Sequence, residues 1–182
     1  MVDSDSAAKL KEGQALPTLA DRINYLFDRI RREDGSPYSN VDVAKTISAQ
    51  SGRPTDRAHI SALRSGDKVN PTRRVLQGLA THFRVPASFF FDDDKSTEIA
   101  EQIEVAVALR DPRTRDLALQ LLRTTDPADV ALVASIVRAL GERPELREAL
   151  ELLLSLEAAD ARLAVRVLQT VRQERIEPST AG

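Results

Sequence analysis

Apolar residues recur at steps of three and four along most of this chain, broken by short polar stops, and that pattern confines the fold to packed helices. Leu19, Ile23, Leu26, Phe27 and Ile30 share one helical face, with Thr18 placed to cap it and Gly35-Ser36-Pro37 placed to end it. Val43, Ala44 and Ile47 mark a second helix from Ser39 or Asn40 to Gln50, broken by Ser51-Gly52-Arg53-Pro54. A third starts at Thr55 or Asp56, turns Ile60 and Leu63 inward and stops at Gly66, which adopts the left-handed conformation at little cost. Asn70-Pro71 reads as a cap followed by proline at the first helical position, opening a fourth helix with Val75, Leu76, Leu79, Ala80 and Phe83 inside. Val85-Pro86 then opens a short fifth turn whose Phe89, Phe90 and Phe91 are expected to close the core.

Asp92-Asp93-Asp94 is a like-charge run that resists burial, and the chain divides there. Residues 1–16 show no apolar periodicity and read as a flexible arm, residues 17–91 as one small domain, and residues 92–182 as an all-helical region. That last region breaks into amphipathic segments at about 97–110, 112–124, 127–140, 144–156 and 158–175. Pro112, Arg115, Asp116, Leu121 and Leu122 recur 32 residues later as Pro144, Arg147, Glu148, Leu153 and Leu154. The partner helix repeats at 31, from Asp126, Ala128, Asp129 and Leu132 to Glu157, Ala159, Asp160 and Leu163. The region therefore reads as a duplicated helical hairpin. Its stripes Leu146, Leu150, Leu153, Leu154 and Leu163, Val167, Leu168, Val171 are apolar surfaces for a second copy of the chain.

The formal net charge of −2 hides an asymmetry. Residues 18–91 carry 12 Lys and Arg against 7 Asp and Glu, which is +5, whereas residues 92–182 carry 12 against 18, which is −6. A basic module joined to an acidic one suits a phosphate-facing domain fused to a part that avoids phosphate. The third helix has the layout of a recognition helix, with Thr55, Arg57, Ala58, His59, Ser61 and Ala62 outward near its start. Arg57 is the strongest base reader, because its planar fork matches the two acceptors of guanine, while His59 and Ser61 suit a base or a phosphate. Lys45, Arg64, Lys68, Asn70, Arg73 and Arg74 surround it as candidates to grip the backbone of double-stranded DNA.

The stretches Ile60-Ser61-Ala62-Leu63-Arg64-Ser65-Gly66, Asn70-Pro71-Thr72 and Leu79-Ala80-Thr81-His82-Phe83-Arg84-Val85-Pro86 resemble the Xre-type helix-turn-helix family of lambda repressor and Cro-like regulators. Leu26-Phe27-Asp28, Leu63-Arg64-Ser65-Gly66, Asn70-Pro71 and Phe90-Phe91-Asp92-Asp93-Asp94 are similar, within it, to the EspR-type mycobacterial nucleoid-associated regulators, more weakly through 113–141. The resemblance implies an all-α fold, a five-helix Xre-type domain followed by helical hairpins. It also implies DNA binding, transcriptional control or chromosome organisation, and a homodimer formed through the C-terminal helices. The link from Gln50 to Pro54 is longer than the usual turn of the family, and the hairpin at 144–175 extends past the end of EspR-type chains.

Other classes lack parts. The two histidines, His59 and His82, fall on different helices, there is no Cys, and the glycines are isolated at helix ends, so no catalytic, metal or cofactor site is expected. Glu98, Glu101 and Glu104 read as a solvated helix face. The polar N-terminus lacks a signal-peptide core and no run approaches a membrane span, so a soluble cytoplasmic protein at the nucleoid is expected. The alternative is a protein-interaction module, antitoxin-like, whose main partner is another protein.

Overall fold

The computed structural model describes residues 16–155. The arm up to residue 15, and Leu163, Val167, Leu168 and Val171 of the last hairpin, lie outside the described residues. Among those described there are eight α-helices: α1 Leu19–Arg29, α2 Asn40–Ser51, α3 Arg57–Ser65, α4 Arg73–Phe83, α5 Asp93–Ala108, α6 Pro112–Thr124, α7 Val130–Glu142 and α8 Leu146–Ser155. Short 3₁₀ turns occupy Ala87–Phe90 and Pro127–Asp129. No described helix is long and apolar enough to cross a membrane. The chain forms two compact units, the first ending at Ile103 and the second beginning at Glu104.

In the first unit side-chain caps start α1, α2 and α3. Thr18 and Ser39 each accept the N–H of the residue three along, and Asp21 and Asp42 each accept the N–H of the capping residue in return. Ser39 bonds hold the Asp42 carboxyl down at about 2, and Arg32 adds to them as an ion-pair partner. Asp56 caps α3, and Gly66 closes it at φ 82 in the left-handed region, as its sequence position suggests. The stripes converge on one core in which Ile23, Leu26, Ile47, Ile60, Leu63, Leu79 and Phe89 have almost no exposed surface.

Four details depart from the sequence expectations. α1 ends at Arg29, six residues before Gly35, because the chain turns back there and Arg31 bridges to Pro37. α4 begins at Arg73 and not at Pro71: Thr72 stays extended, and its carbonyl is the first to accept, from the N–H groups of Val75 and Leu76. Phe91 does not close the core. The preceding 3₁₀ turn puts Phe89 and Phe90 inside, and Phe91, the residue that ends it, is 67% exposed. Finally, α5 starts at Asp93, and its first three turns belong to the first unit, with Ser96 and Ile99 buried and the Ala100 carbonyl accepting the Tyr25 hydroxyl at 2.9 Å. Arg22 explains this. Its guanidinium is buried, donates to the Leu16 carbonyl at 2.9 Å and pairs with Asp93, so Leu16 is also drawn out of the expected arm and into the core.

Gly78 is where α2 and α4 approach most closely. A Cβ placed there would stand 2.5 Å from Cγ1 and 3.1 Å from Cβ of Ile47, a buried, β-branched side chain with little freedom to move. Alanine in an open helix gains about 1 kcal/mol over glycine, and overpacking costs about 1–3 kcal/mol. Gly78→Ala is therefore expected to lower stability by about 1 kcal/mol net in a denaturant melt. A stabilised Gly78→Ala would contradict the close approach.

In the second unit, Leu117, Leu121, Val133, Val137 and Leu140 form the core of the α6–α7 pair, and α8 folds back on both helices. Gly141 admits the end of α5, since a Cβ there would meet Cβ of Ala108 at 2.7 Å. Arg147 of α8 donates to Asp111, the N-cap of α6, at 3.0 Å. Of the stripe Leu146, Leu150, Leu153 and Leu154, the side chain of Leu153 lies outside the described residues. Leu150 is 1% exposed inside this core, with Leu146 and Leu154 packed against it, because α8 buries its leucine face within its own unit. Among the described residues of this unit, the exposed leucines are Leu119 and Leu122 on α6 and Leu152 on α8.

Candidate nucleic-acid interface

Ile60 and Leu63 anchor α3 in the core and so fix which side of it faces solvent. Arg57, Ala58, Ser61 and Ser65 form the exposed side, with Ala62 half-buried at its edge. The spacing of three and four puts a guanidinium at the helix start, two methyl groups and two hydroxyls on one narrow convex face. This is a shape and a donor set that a DNA major groove accepts. Among the described residues, no hydrogen bond or ion pair holds the Arg57 side chain.

The residues before α3 are fastened to α2. Ser48 Oγ accepts the Thr55 N–H at 2.8 Å and reaches the Thr55 carbonyl at 3.2 Å, so Thr55 is half-buried structure at the entry to the helix. Arg74, from the first turn of α4, donates to Ser51 Oγ at 3.2 Å and to the Arg53 carbonyl at 3.5 Å. The long link between α2 and α3 is thereby tied at both ends, which gives its extra residues a fixed path. Arg53 itself is exposed on that link, a cation whose place in the helix break Ser51-Gly52-Arg53-Pro54 gives no sign of a binding role.

Beyond α3, Lys68, Asn70 and Arg73 are exposed, and Lys45 is exposed on α2. Thr72 makes no side-chain bond to the start of α4, so the amide-rich end beside Arg73 and Arg74 is left to attract an anion. By contrast Asp56 fills the start of α3 by accepting the His59 N–H at 2.7 Å.

Two of the named residues are turned to other work. Arg64 points inward: Nε donates to Asn24 Oδ1 and Nη1 to Asn40 Oδ1, both at 2.8 Å, and the guanidinium lies 4.0 Å from the centre of the Phe27 ring. Burial lowers its pKa from the ordinary guanidinium value, and Asp28 nearby opposes that. It braces α1, α2 and α3 together. The signal for this was present in Asn24 and Asn40, polar residues at the edge of apolar stripes. His59 is half-buried, with Nε2 enclosed and Nδ1 3.2 Å from Lys68 Nζ. Burial, with Lys68 beside it, lowers its pKa and so favours the neutral ring. His82 is the more enclosed of the two histidines. It lies edge-on to Tyr38 and Phe83, with Thr46 Oγ1 2.8 Å from Nδ1, which makes it a core group.

No protein-family model matches the chain. It is 30% identical over 101 residues to the nucleoid-associated protein EspR from each of two strains of Mycobacterium tuberculosis. That alignment takes in 56% of this chain and 76% of each relative.

Proposed function

The chain belongs to the family of the nucleoid-associated protein EspR, and from that premise we propose that it binds double-stranded DNA as a regulator or organiser of the bacterial nucleoid. The observation that carries this reading is the exposed face of α3, with an unheld arginine at its start and a ring of exposed cations around it. α2 and α3 act as an Xre-type helix-turn-helix, with α3 in the major groove. Arg57 and Ser61 meet base edges, and Lys45, Arg53, Lys68, Arg73 and Arg74 meet phosphates. Fluorescence anisotropy of the full chain on a labelled duplex tests this. Binding at low salt that long duplex competitors remove is expected, and no binding at 50 mM salt and micromolar protein would end the proposal.

The protein acts as a homodimer through its second unit, which holds none of the exposed cations that surround α3. Because Leu146, Leu150 and Leu154 serve their own core, the described residues best suited to a partner copy are the exposed Leu119, Leu122 and Leu152. A dimer sets two groove-facing helices at a fixed separation, as paired half-sites require. Sedimentation of the full chain at micromolar concentration is expected to give a dimer. The double substitution Leu119→Glu and Leu122→Glu is expected to shift it to monomer, and an unchanged dimer would move the interface elsewhere.

A further inference from the structure

His59 stands on the recognition face by sequence, yet its two ring nitrogens are both unavailable to a base. Nε2 is enclosed within the protein, and Nδ1 lies 3.2 Å from the Lys68 ammonium nine residues later. An ammonium only donates, so Nδ1 accepts and the ring carries its proton on Nε2. The main chain that carries the ring is held in place. Its backbone N–H is fixed by Asp56 at 2.7 Å, and its neighbour Ile60 is fully buried. Lys68 is also held at its other end, where its backbone N–H donates to the Ala62 carbonyl at 3.0 Å beyond the Gly66 turn. A lysine on an exposed loop normally samples many rotamers; this one is anchored at the main chain and at the side-chain tip.

We infer that His59 is a positioning residue for DNA binding: it makes no contact with DNA and acts by holding the Lys68 ammonium at a fixed point beside α3, ready for a phosphate. The inference rests on the proposed DNA-binding function and assigns, within it, the role of the one histidine on α3. Pre-ordering a cation lowers the entropy lost when it meets a phosphate, so affinity rises without any new contact to the nucleic acid. The low pKa of His59 agrees with this, since protonation would remove the acceptor and set two cations side by side.

The test is a double-substitution cycle on duplex binding at constant pH, with the full chain. His59→Leu is expected to weaken binding by about 3- to 10-fold, equally on preferred and scrambled duplexes. In a Lys68→Met background the same change is expected to have no further effect. His59→Asn, which keeps an acceptor near the position of Nδ1, is expected to recover affinity to within about 2-fold of the unaltered chain. Ring nitrogen NMR supplies an independent readout that needs no DNA: Lys68→Met is expected to raise the His59 pKa, as loss of the neighbouring charge requires. Equal losses in both backgrounds would overturn the inference, as would a loss confined to the preferred duplex, which would make His59 a base reader. An unaltered chain that binds no duplex would overturn the DNA-binding reading itself and the inference with it. If His59→Leu fails to fold, as its thermal melt would reveal, the His59→Asn cycle and the pKa measurement still decide.

Discussion

A rise in monovalent salt from 50 to 200 mM is expected to weaken duplex binding by about 500-fold. Each cation that meets a phosphate releases a counterion, so log affinity falls with log salt at about −0.9 per phosphate. Arg64 is removed from the count because its donors and its ring contact are internal. That leaves Lys45, Arg53, Lys68, Arg73 and Arg74 as phosphate partners, all at least partly exposed. About five contacts give a slope of about −4.5, which over a fourfold change in salt amounts to the loss stated. Lys68→Ala is expected to flatten the slope by about one and to weaken all sequences alike. Arg64→Gln is expected to leave the slope in place while lowering the melting temperature, because it breaks a brace between helices. An anisotropy titration across salt measures both, and a slope near zero would exclude groove binding driven by these cations.

Arg57→Ala is expected to have a different character. Its side chain is the first of α3, exposed and without an internal partner, so its fork is free to pair with guanine O6 and N7. Removing one such bidentate pair costs about 1–3 kcal/mol on the preferred site, about 5- to 150-fold, and little on scrambled sequence. The ratio between the two sites therefore falls, whereas the Lys68 change leaves it alone. Competition between the two duplexes reads this ratio directly. Equal losses on both would assign Arg57 to the backbone, and no loss on either would remove it from the interface.

Much of the fold was legible because helix signals are local. The stripe from Leu19 to Phe27, the caps Thr18 and Ser39 and the stop at Gly66 all act within four residues, and all occur where their spacing points. What escaped depended on residues distant in sequence. Arg64 looks like any surface arginine until Asn24, Asn40 and Phe27 are brought around it by three packed helices. Leu146, Leu150 and Leu154 of α8 read as part of an outer stripe because periodicity reports that a face is apolar and not what covers it; α6 and α7 of the same chain do. Phe91 follows two buried phenylalanines, and only its place at the end of the 3₁₀ turn separates it from them. In the candidate interface, Arg57 and Ser61 were legible as exposed positions of a short amphipathic helix. The pairing of His59 with Lys68 was not, since it depends on how the chain leaves α3.

The buried Arg22 carries a consequence for anyone dividing this protein. One guanidinium holds the Leu16 carbonyl where the chain enters the first unit and the Asp93 carboxylate where it leaves. A fragment ended at Phe91, the natural cut from sequence, keeps every helix of the groove-binding part but strands a positive charge in its interior and discards Ile99 and the acceptor for Tyr25. Weak or absent DNA binding by such a fragment would then report its instability and say nothing about dimerisation. A fragment that runs through Ile103 retains the counter-charge and the lid of α5, and it is the shortest piece from which a clean measure of monomeric binding can be taken.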